Sequence, residues 1–337
     1  MSDPIESSAQ GKVVEPSKES GRVGIGASTG TLLTADETRR GEKVSIRSPF
    51  RDGVRRFSQN WAAVIALIIV VLLILGAIFA PFLHTLNPTA APDYNALSQG
   101  PSATHWFGTD AEGRDQYSRI LYGLRVPLFV GFVGTIITLA IGISLGLSAG
   151  FFGGLVDSLA SRFTDFMFAF PAFLFAIILV TLFGSAFDAT FPGGVGRAII
   201  LTLVFSFVSW PPLMRFVRSL ALSMKETQFI EAARTVGTSN FHIVTRHLAP
   251  NVWGVTLVQA SFLIANIIGT EAVLSIIGLG VNEPVPDLGT MLYDGAGSIE
   301  ANAWIVFFPS LFLTIIILAF TFLGDGVRDA VDPRANQ

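Results

Sequence analysis

Six apolar stretches long enough to cross a lipid bilayer constrain this chain more than any other feature: Trp61 to Leu83, Val126 to Ala149, Phe163 to Phe183, Arg197 to Arg215, Val252 to Ile276 and Trp304 to Leu323. At ~1.5 Å per residue the first reaches roughly 34 Å, enough for a ~30 Å hydrocarbon core with some tilt. Inside lipid no water bonds to free N–H and C=O groups, so such segments must satisfy their backbones internally, as helices do. The expected fold is an all-α integral membrane protein with six transmembrane helices. Length alone would permit two soluble domains, but 51% hydrophobic residues against 14% charged, with a mean hydropathy of +0.59, rules that reading out.

The loops set the expected orientation. Lys43, Arg47, Arg51, Arg55 and Arg56 crowd ahead of the first span, which by the positive-inside rule places the N-terminus in the cytoplasm; six spans return the C-terminus to the same side. Arg114, Arg119 and Arg125 in the large outer loop dissent, but the N-terminal cluster and the basic residues of the 218–251 segment outweigh them. Residues 1–48, rich in Ser, Gly, Glu, Lys and Thr, bury too little apolar surface to order and are expected to be a disordered cytoplasmic segment. They lack the apolar core of a secretory signal, so insertion is expected to rely on the first span. Residues 49–125 then carry that span and an outer segment, and 126–334 the other five spans. Phe50, Val54 and Phe57 fit a short surface helix, and a plain juxtamembrane anchor fits equally well.

Within the spans, polar and helix-breaking residues are the candidates for function. Pro171 is expected to bend the third helix, and Trp210-Pro211-Pro212 break the hydrogen-bond ladder of the fourth, which makes that kink a candidate pathway wall or a mere packing kink. Glu271 lies near the outer end of the fifth span, too far from the midplane for a proton relay to be favoured. Asp157, Arg162 and Asp165 read as a solvated helix end. Glycines 131, 134, 142, 146 and 150 supply small surfaces for close helix approach.

Between the fourth and fifth spans lies a charged island. From Glu226 to Val236, the apolar Phe229, Ile230, Ala233 and Val236 form one stripe of a short helix, with Glu231, Arg234 and Thr235 away from it. Gly237 can end that helix in the left-handed conformation, Ser239 or Asn240 can cap a second one bearing Phe241, Val244 and Leu248, and Pro250 marks the turn into the fifth span. The spacing alone fits either a docking device or an amphipathic linker lying on lipid.

The usual chemical signatures are missing. There is no Gly-x-x-x-x-Gly-Lys-[Ser/Thr] phosphate loop, His-Glu-x-x-His zinc helix or Gly-x-Ser-x-Gly turn, so no ATP hydrolysis, catalytic residue, cofactor or metal is expected. His105, Asp110, Glu112 and Asp115 could ligate a metal, but scattered loop acids are more often solvated. A net charge of −3 with no basic block argues against nucleic acid, and the chain has no cysteine.

The residues also carry a family resemblance. Glu231-Ala232-Ala233, Gly237 and Pro250-Asn251 are similar to the EAA loop of ABC-importer permeases, here 222–251, although Ala249 stands where leucine usually precedes the proline. His105-Trp106-Phe107-Gly108-Thr109-Asp110 with Gly113-Arg114-Asp115, Gly150 to Gly154, Gly278-Leu279-Gly280, Leu323 to Asp329 and Asp332-Pro333-Arg334 resemble the C-type subunit of peptide permeases. Ala111-Glu112 replaces a common Glu-Leu there, and Pro212, Leu213 and Met214 depart from a usual Gly-Tyr-Ala. The resemblance implies a type I ABC-importer permease fold in a bacterial inner membrane. It further implies pairing with a B-type permease, two cytoplasmic ATPase subunits and an external solute-binding protein. Glu231, Ala232, Ala233, Arg234, Gly237, Leu248 and Pro250 would then couple to the ATPase. The expected cargo is a di- or oligopeptide, with nickel chelates or glutathione as alternatives and an ion-driven secondary transporter as the rival class.

Overall fold

A computed structural model describes residues 49–83, 86 and 93–331. The N-terminal 48 residues, the side chain of Phe50 and Asp332-Pro333-Arg334 lie outside the described residues. The first helix, α1 (Pro49–Gln59), leads into α2 (Trp61–Phe79), whose start is capped by Asn60: its side chain accepts from the Ala63 N–H and donates to Asp329 at 3.0 Å. After a long loop come α3 (Gln116–Gly123), α4 (Arg125–Phe152), α5 (Gly154–Ala169), α6 (Ala172–Thr190) and α7 (Val195–Lys225). The island holds α8 (Gln228–Thr235) and α9 (Asn240–Ile243), and the chain closes with α10 (Ala249–Ile276), α11 (Leu288–Gly295) and α12 (Trp304–Val331). Among the described residues six helical segments are long and apolar enough to cross a membrane, and no strand forms beyond one isolated bridge between Thr109 and Asp115.

Four boundaries differ from the sequence reading, the simplest being the sixth span, which runs on from Trp304 to Val331, past Leu323. Pro171 ends a helix rather than bending one: Phe170 is extended (φ −100°, ψ 133°), because the proline ring disfavours the α conformation in the residue before it. The third span is therefore α6, with α5 a separate helix. The fourth span runs on to Lys225, well past Arg215, and continues unbroken through both Pro211 and Pro212. The fifth does not begin at a corner: helix runs from Asn240 to Ile276 through a π-turn over Val244–Leu248.

Packing centres on α4 and α7. A Cβ on Gly142 would stand 2.7 Å from the Leu213 side chain, one on Gly146 2.7 Å from Val217 and 2.8 Å from the Met214 carbonyl, and one on Gly150 2.6 Å from Ala221. These glycines recur every four residues and so line one face. Helices in lipid gain little from burying apolar surface against one another, so close backbone approach and dispersion contacts hold them instead. Ser206 completes the seam by donating to the carbonyls of Gly134 (3.1 Å) and Thr202 (2.6 Å). On the other side, α2, α10 and α12 share a core that includes Val70, Leu73, Ile268, Ile316 and Phe320, and Gly326 sits directly against Ala63.

The island, α1 and the end of α12 gather at one end of the bundle, and the long loops and α11 at the other. Because backbone as well as side chain blocks the space at Gly146, Gly146→Leu is expected to cost about 1–3 kcal/mol and to lower the melting temperature in detergent. Gly297→Ala, placed where nothing lies within 4 Å, is the control expected to melt like the parent.

Candidate functional site

The island is held by a narrow buried edge. Ile230, Ala233, Ile243 and Leu248 pack with Leu147 and Phe151 of α4, Val217 and Ala221 of α7 and Val252 of α10. Thr227 leads into α8 with extended backbone, and its hydroxyl donates to the Met224 carbonyl at 2.6 Å. Gly237 takes φ +79°, and the N–H groups of Gly237 and Thr238 bond to the Arg234 and Ala233 carbonyls, closing α8. Ser239 then caps α9.

The stripes read from the sequence are corrected here. Phe229, Val236 and Phe241 are 45%, 81% and 76% exposed, while Ile230, Ile243 and Leu248 are fully buried. Phe229 and Val236 lie seven residues apart and so share a face about 100° from Ile230; an eight-residue helix rests only one of those faces on the bundle. Glu231, Ala232, Arg234, Gly237 and Pro250 are exposed as well, and Ala233 and Leu248 are buried. The Arg234 guanidinium lies 5.3 Å over the Phe151 ring.

Pro250 likewise acts differently from a corner. It has no N–H to offer the carbonyl four residues back, and the chain widens just before it: the Ala249 N–H bonds to the Val244 carbonyl in the π-turn. The island's second helix and α10 are thus one continuous rod.

Two ion pairs brace α5 against α7. Arg218 grips Asp157 through both oxygens (2.5 and 2.7 Å), and this hydrogen-bonded contact holds the Asp157 carboxyl below the usual range. Arg215 pairs with Asp165 and stacks 4.2 Å over Phe168. Asp165 stays 66% exposed although paired with Arg215, so the solvated reading holds there, whereas Asp157 is 22% exposed and shielded by Arg218.

A cavity of about 430 Å³ opens between α6, α7 and α10. Phe173 of α6, Phe205, Ser209 and Pro212 of α7, and Gln259 and Asn266 of α10 line it. Trp210 and Pro211 do not: both are buried, and Trp210 stacks on Phe163 at 5.5 Å. Pro212 deprives the Val208 carbonyl of its helical partner, and Val208 is itself a lining residue. Gln259 and Asn266 were missed in the sequence, although two carboxamides seven residues apart in an apolar helix are a visible signal. Both are exposed, and an unbonded amide in hydrocarbon costs roughly 2–7 kcal/mol. That cost favours water, a polar ligand or another protein over acyl chains against this face. Glu271 lies off the cavity, fully buried, accepting a hydrogen bond from Ser275 at 2.8 Å.

At the loop end, charges are paired. The Asp110 carboxylate accepts from the Glu112 and Arg114 N–H groups and from Arg114 Nε at 2.7 Å. Asp115 caps α3 and bonds to His105 Nδ1 at 3.0 Å. Among the described residues no group of three His, Cys, Asp or Glu is placed to hold a metal. Arg119, buried to 1%, donates to Glu283 at 2.7 Å, and Arg114 also pairs with Glu283. Burial raises the Glu283 carboxyl, but these two arginines outweigh it and leave the group below its usual range. Burial and then the Glu283 charge push Asp294 up to about 6, and burial likewise lifts Asp287, the cap of α11, to about 6.

Residues 142–337 match the family described as binding-protein-dependent transport system inner membrane component, and residues 48–101 match the N-terminal TM domain of oligopeptide transport permease C. The oligopeptide transport system permease protein OppC of Escherichia coli (strain K12) is 39% identical over 297 residues, covering 87% of this chain and 94% of that protein. The glutathione transport system permease protein GsiD of Pectobacterium atrosepticum is 38% identical over 290 residues, covering 86% and 93%. A chain from the native CY5 crystal form of the inward-facing MetNI methionine ABC transporter shares the fold, with a TM-score of 0.50 and 23% identity over 63% of this chain and 96% of that one.

The raised Asp294 has a pH consequence. Its folded form keeps a proton that the unfolded chain loses above 3.8, so its stability contribution is full below that pH and is lost as pH rises through about 6. Asp294→Asn stays neutral throughout. The melting temperature of the variant should match the parent near pH 4 and exceed it by a growing margin up to pH 7; a difference independent of pH would count against this. Asp287 is present in both proteins and cancels.

Proposed function

The chain belongs to the family of binding-protein-dependent transport system inner membrane components, and from that premise we propose that it forms one half of a peptide-import channel driven through its island. It is a multi-pass protein of the bacterial inner membrane and a permease subunit of an ABC importer, in which ATP hydrolysis belongs to separate ATPase subunits. The other half of the channel is a homologous B-type permease, and an external solute-binding protein delivers cargo to the loop end. Both termini and the island face the cytoplasm, in line with the basic residues Arg55 and Arg56 ahead of the first span and Arg234 and Arg246 in the island.

One observation carries the coupling reading. Exposed Phe229, Val236 and Phe241 stand on helices fixed to the bundle by a buried edge, with exposed Glu231 and Arg234 on another face of α8, and α9 continues through the π-turn into α10, a wall of the cavity. An apolar patch with a charged rim is what a protein partner covers. Force applied to it passes along a rod about 55 Å long in all, about 29 Å of it between Asn240 and Gln259 at ~1.5 Å per residue, to the groove where cargo would cross. Binding and hydrolysis of ATP in the partner subunits would thus rock α10 against α6 and α7 and alternate the openings.

Peptides are the proposed cargo, supported by the relative named for oligopeptides. Glutathione, named for another relative and itself a tripeptide, is the second reading. An ion-driven secondary transporter fits less well, since Glu271 lies off the cavity.

In proteoliposomes holding the partner permease, the ATPase subunits and the binding protein, ATP-dependent peptide uptake is expected, and the lone subunit should take up nothing. Glu231→Lys reverses a rim charge, and Gly237→Val forces a β-branched residue to φ +79°. Each should lower uptake about tenfold or more, the change that a charge reversal or a backbone strain worth at least ~1.4 kcal/mol at the interface produces, and should weaken copurification of the ATPase. Uptake by the lone chain would overturn this reading.

A further inference from the structure

The cavity is neutral, and its polar side chains are two carboxamides and the hydroxyls of Ser209 and Thr270. Among the described residues its lining has no ionisable side chain; Phe173, Phe205, Phe216 and Phe262 form apolar walls, and Gln259 and Asn266 supply carboxamides. The two carboxamides share one face of α10 and stand about 10 Å apart along it, at ~1.5 Å per residue. They flank the middle of a 28-residue helix, deep in the span.

Their bonding leaves them available. Thr270 Oγ1 lies 3.3 Å from Asn266 Oδ1, a contact it adds to its bond with the Asn266 carbonyl at 2.8 Å. The Asn266 NH₂ is thereby left as a pair of donors with no partner among the described residues. Gln259 has no hydrogen bond among the described residues and so keeps both a donor and an acceptor.

We propose that Gln259 and Asn266 form a rail that hydrogen-bonds the main-chain amides of an extended short peptide, reading its backbone and not its side-chain charge. This rests on the peptide reading above and deepens it. Carboxamides and peptide groups are chemically matched, each offering N–H and C=O. A span of about 10 Å corresponds to about three residues of extended chain at ~3.4 Å each. A charged lining residue would select cargo of opposite sign; here none does so, and the phenyl walls give apolar side chains a surface without demanding one shape.

The test uses the complete reconstituted transporter and two probes, trialanine and trialanine N-methylated at both peptide bonds, which lack the main-chain N–H groups. For each variant the ratio of its uptake to the wild-type uptake is compared between probes, so that any preference of the binding protein cancels. Gln259→Leu should lower trialanine uptake about five- to tenfold, the scale of one lost hydrogen bond, and the methylated probe by a smaller factor of about two, because Gln259 Oε1 accepts from a peptide N–H that only trialanine carries. Asn266→Leu, which removes an NH₂ donor to a peptide carbonyl that both probes keep, should lower uptake of both by about the same factor, and Asn266→Gln should restore part of the loss. Equal factors for both probes at Gln259, unchanged uptake in either variant, or loss of the partner permease from the purified complex would overturn the rail. Absence of trialanine uptake by the wild-type complex would instead overturn the peptide reading beneath it.

Discussion

Everything in this fold answers to the need to satisfy backbone hydrogen bonds where there is no water. That need makes each crossing a helix and dictates where helices can be interrupted. The break at Phe170-Pro171 divides a helix too polar to cross, α5, from one that does, α6. The prolines at 211 and 212 sit inside α7 where the freed Val208 carbonyl adjoins the cavity. The π-turn before Pro250 keeps the island and α10 in one rod although the proline has no N–H to give.

Because helices cannot be squeezed together by water, their cohesion depends on how closely they approach. The glycines of α4 at positions 142, 146 and 150 let α7 come close enough for its backbone to be felt, and the Arg218–Asp157 pair then ties α7 to α5 at the island end of that seam. Arg218 shares this end with Ala221 and the buried edge of α8, so the island rests on a closely packed part of the bundle.

Much of this was legible in the sequence. The six spans, the left-handed Gly237, the Ser239 cap and the family signatures are local properties, set by period, chirality and side-chain length. What escaped depended on partners far away in the chain. The helical period placed Phe229, Ile230, Ala233 and Val236 on one side of α8, yet only contacts from α4, α7 and α10 decide that Ile230 is buried and Phe229 is not. Trp210 and Pro212 looked like one kink; helical geometry turns them about 200° apart, so Trp210 meets Phe163 while Pro212 meets the cavity. Asp157 read as solvated because Arg218 is distant in sequence. Gln259 and Asn266 gain meaning only from the gap that α6 and α7 leave beside them.

The distribution of charge gives the fold its division of labour. At the loop end, Arg114 and Arg119 gather Asp110, Glu283 and Asp294 into one network that fastens the segment before α3 to the segment around α11. At the island end, Arg215 and Arg218 fasten α5 to α7. Between them the cavity lining is uncharged. Ion pairs at the two ends can lock segments because water meets part of their solvation, whereas an unpaired charge midway would cost far more and would also bind or repel cargo by sign. A neutral middle between ionic ends lets the ends hold the shape and leaves the passage to respond to geometry. Motion of α10 against α6 and α7 would then break no charge pair in the groove, since no lining side chain carries a charge.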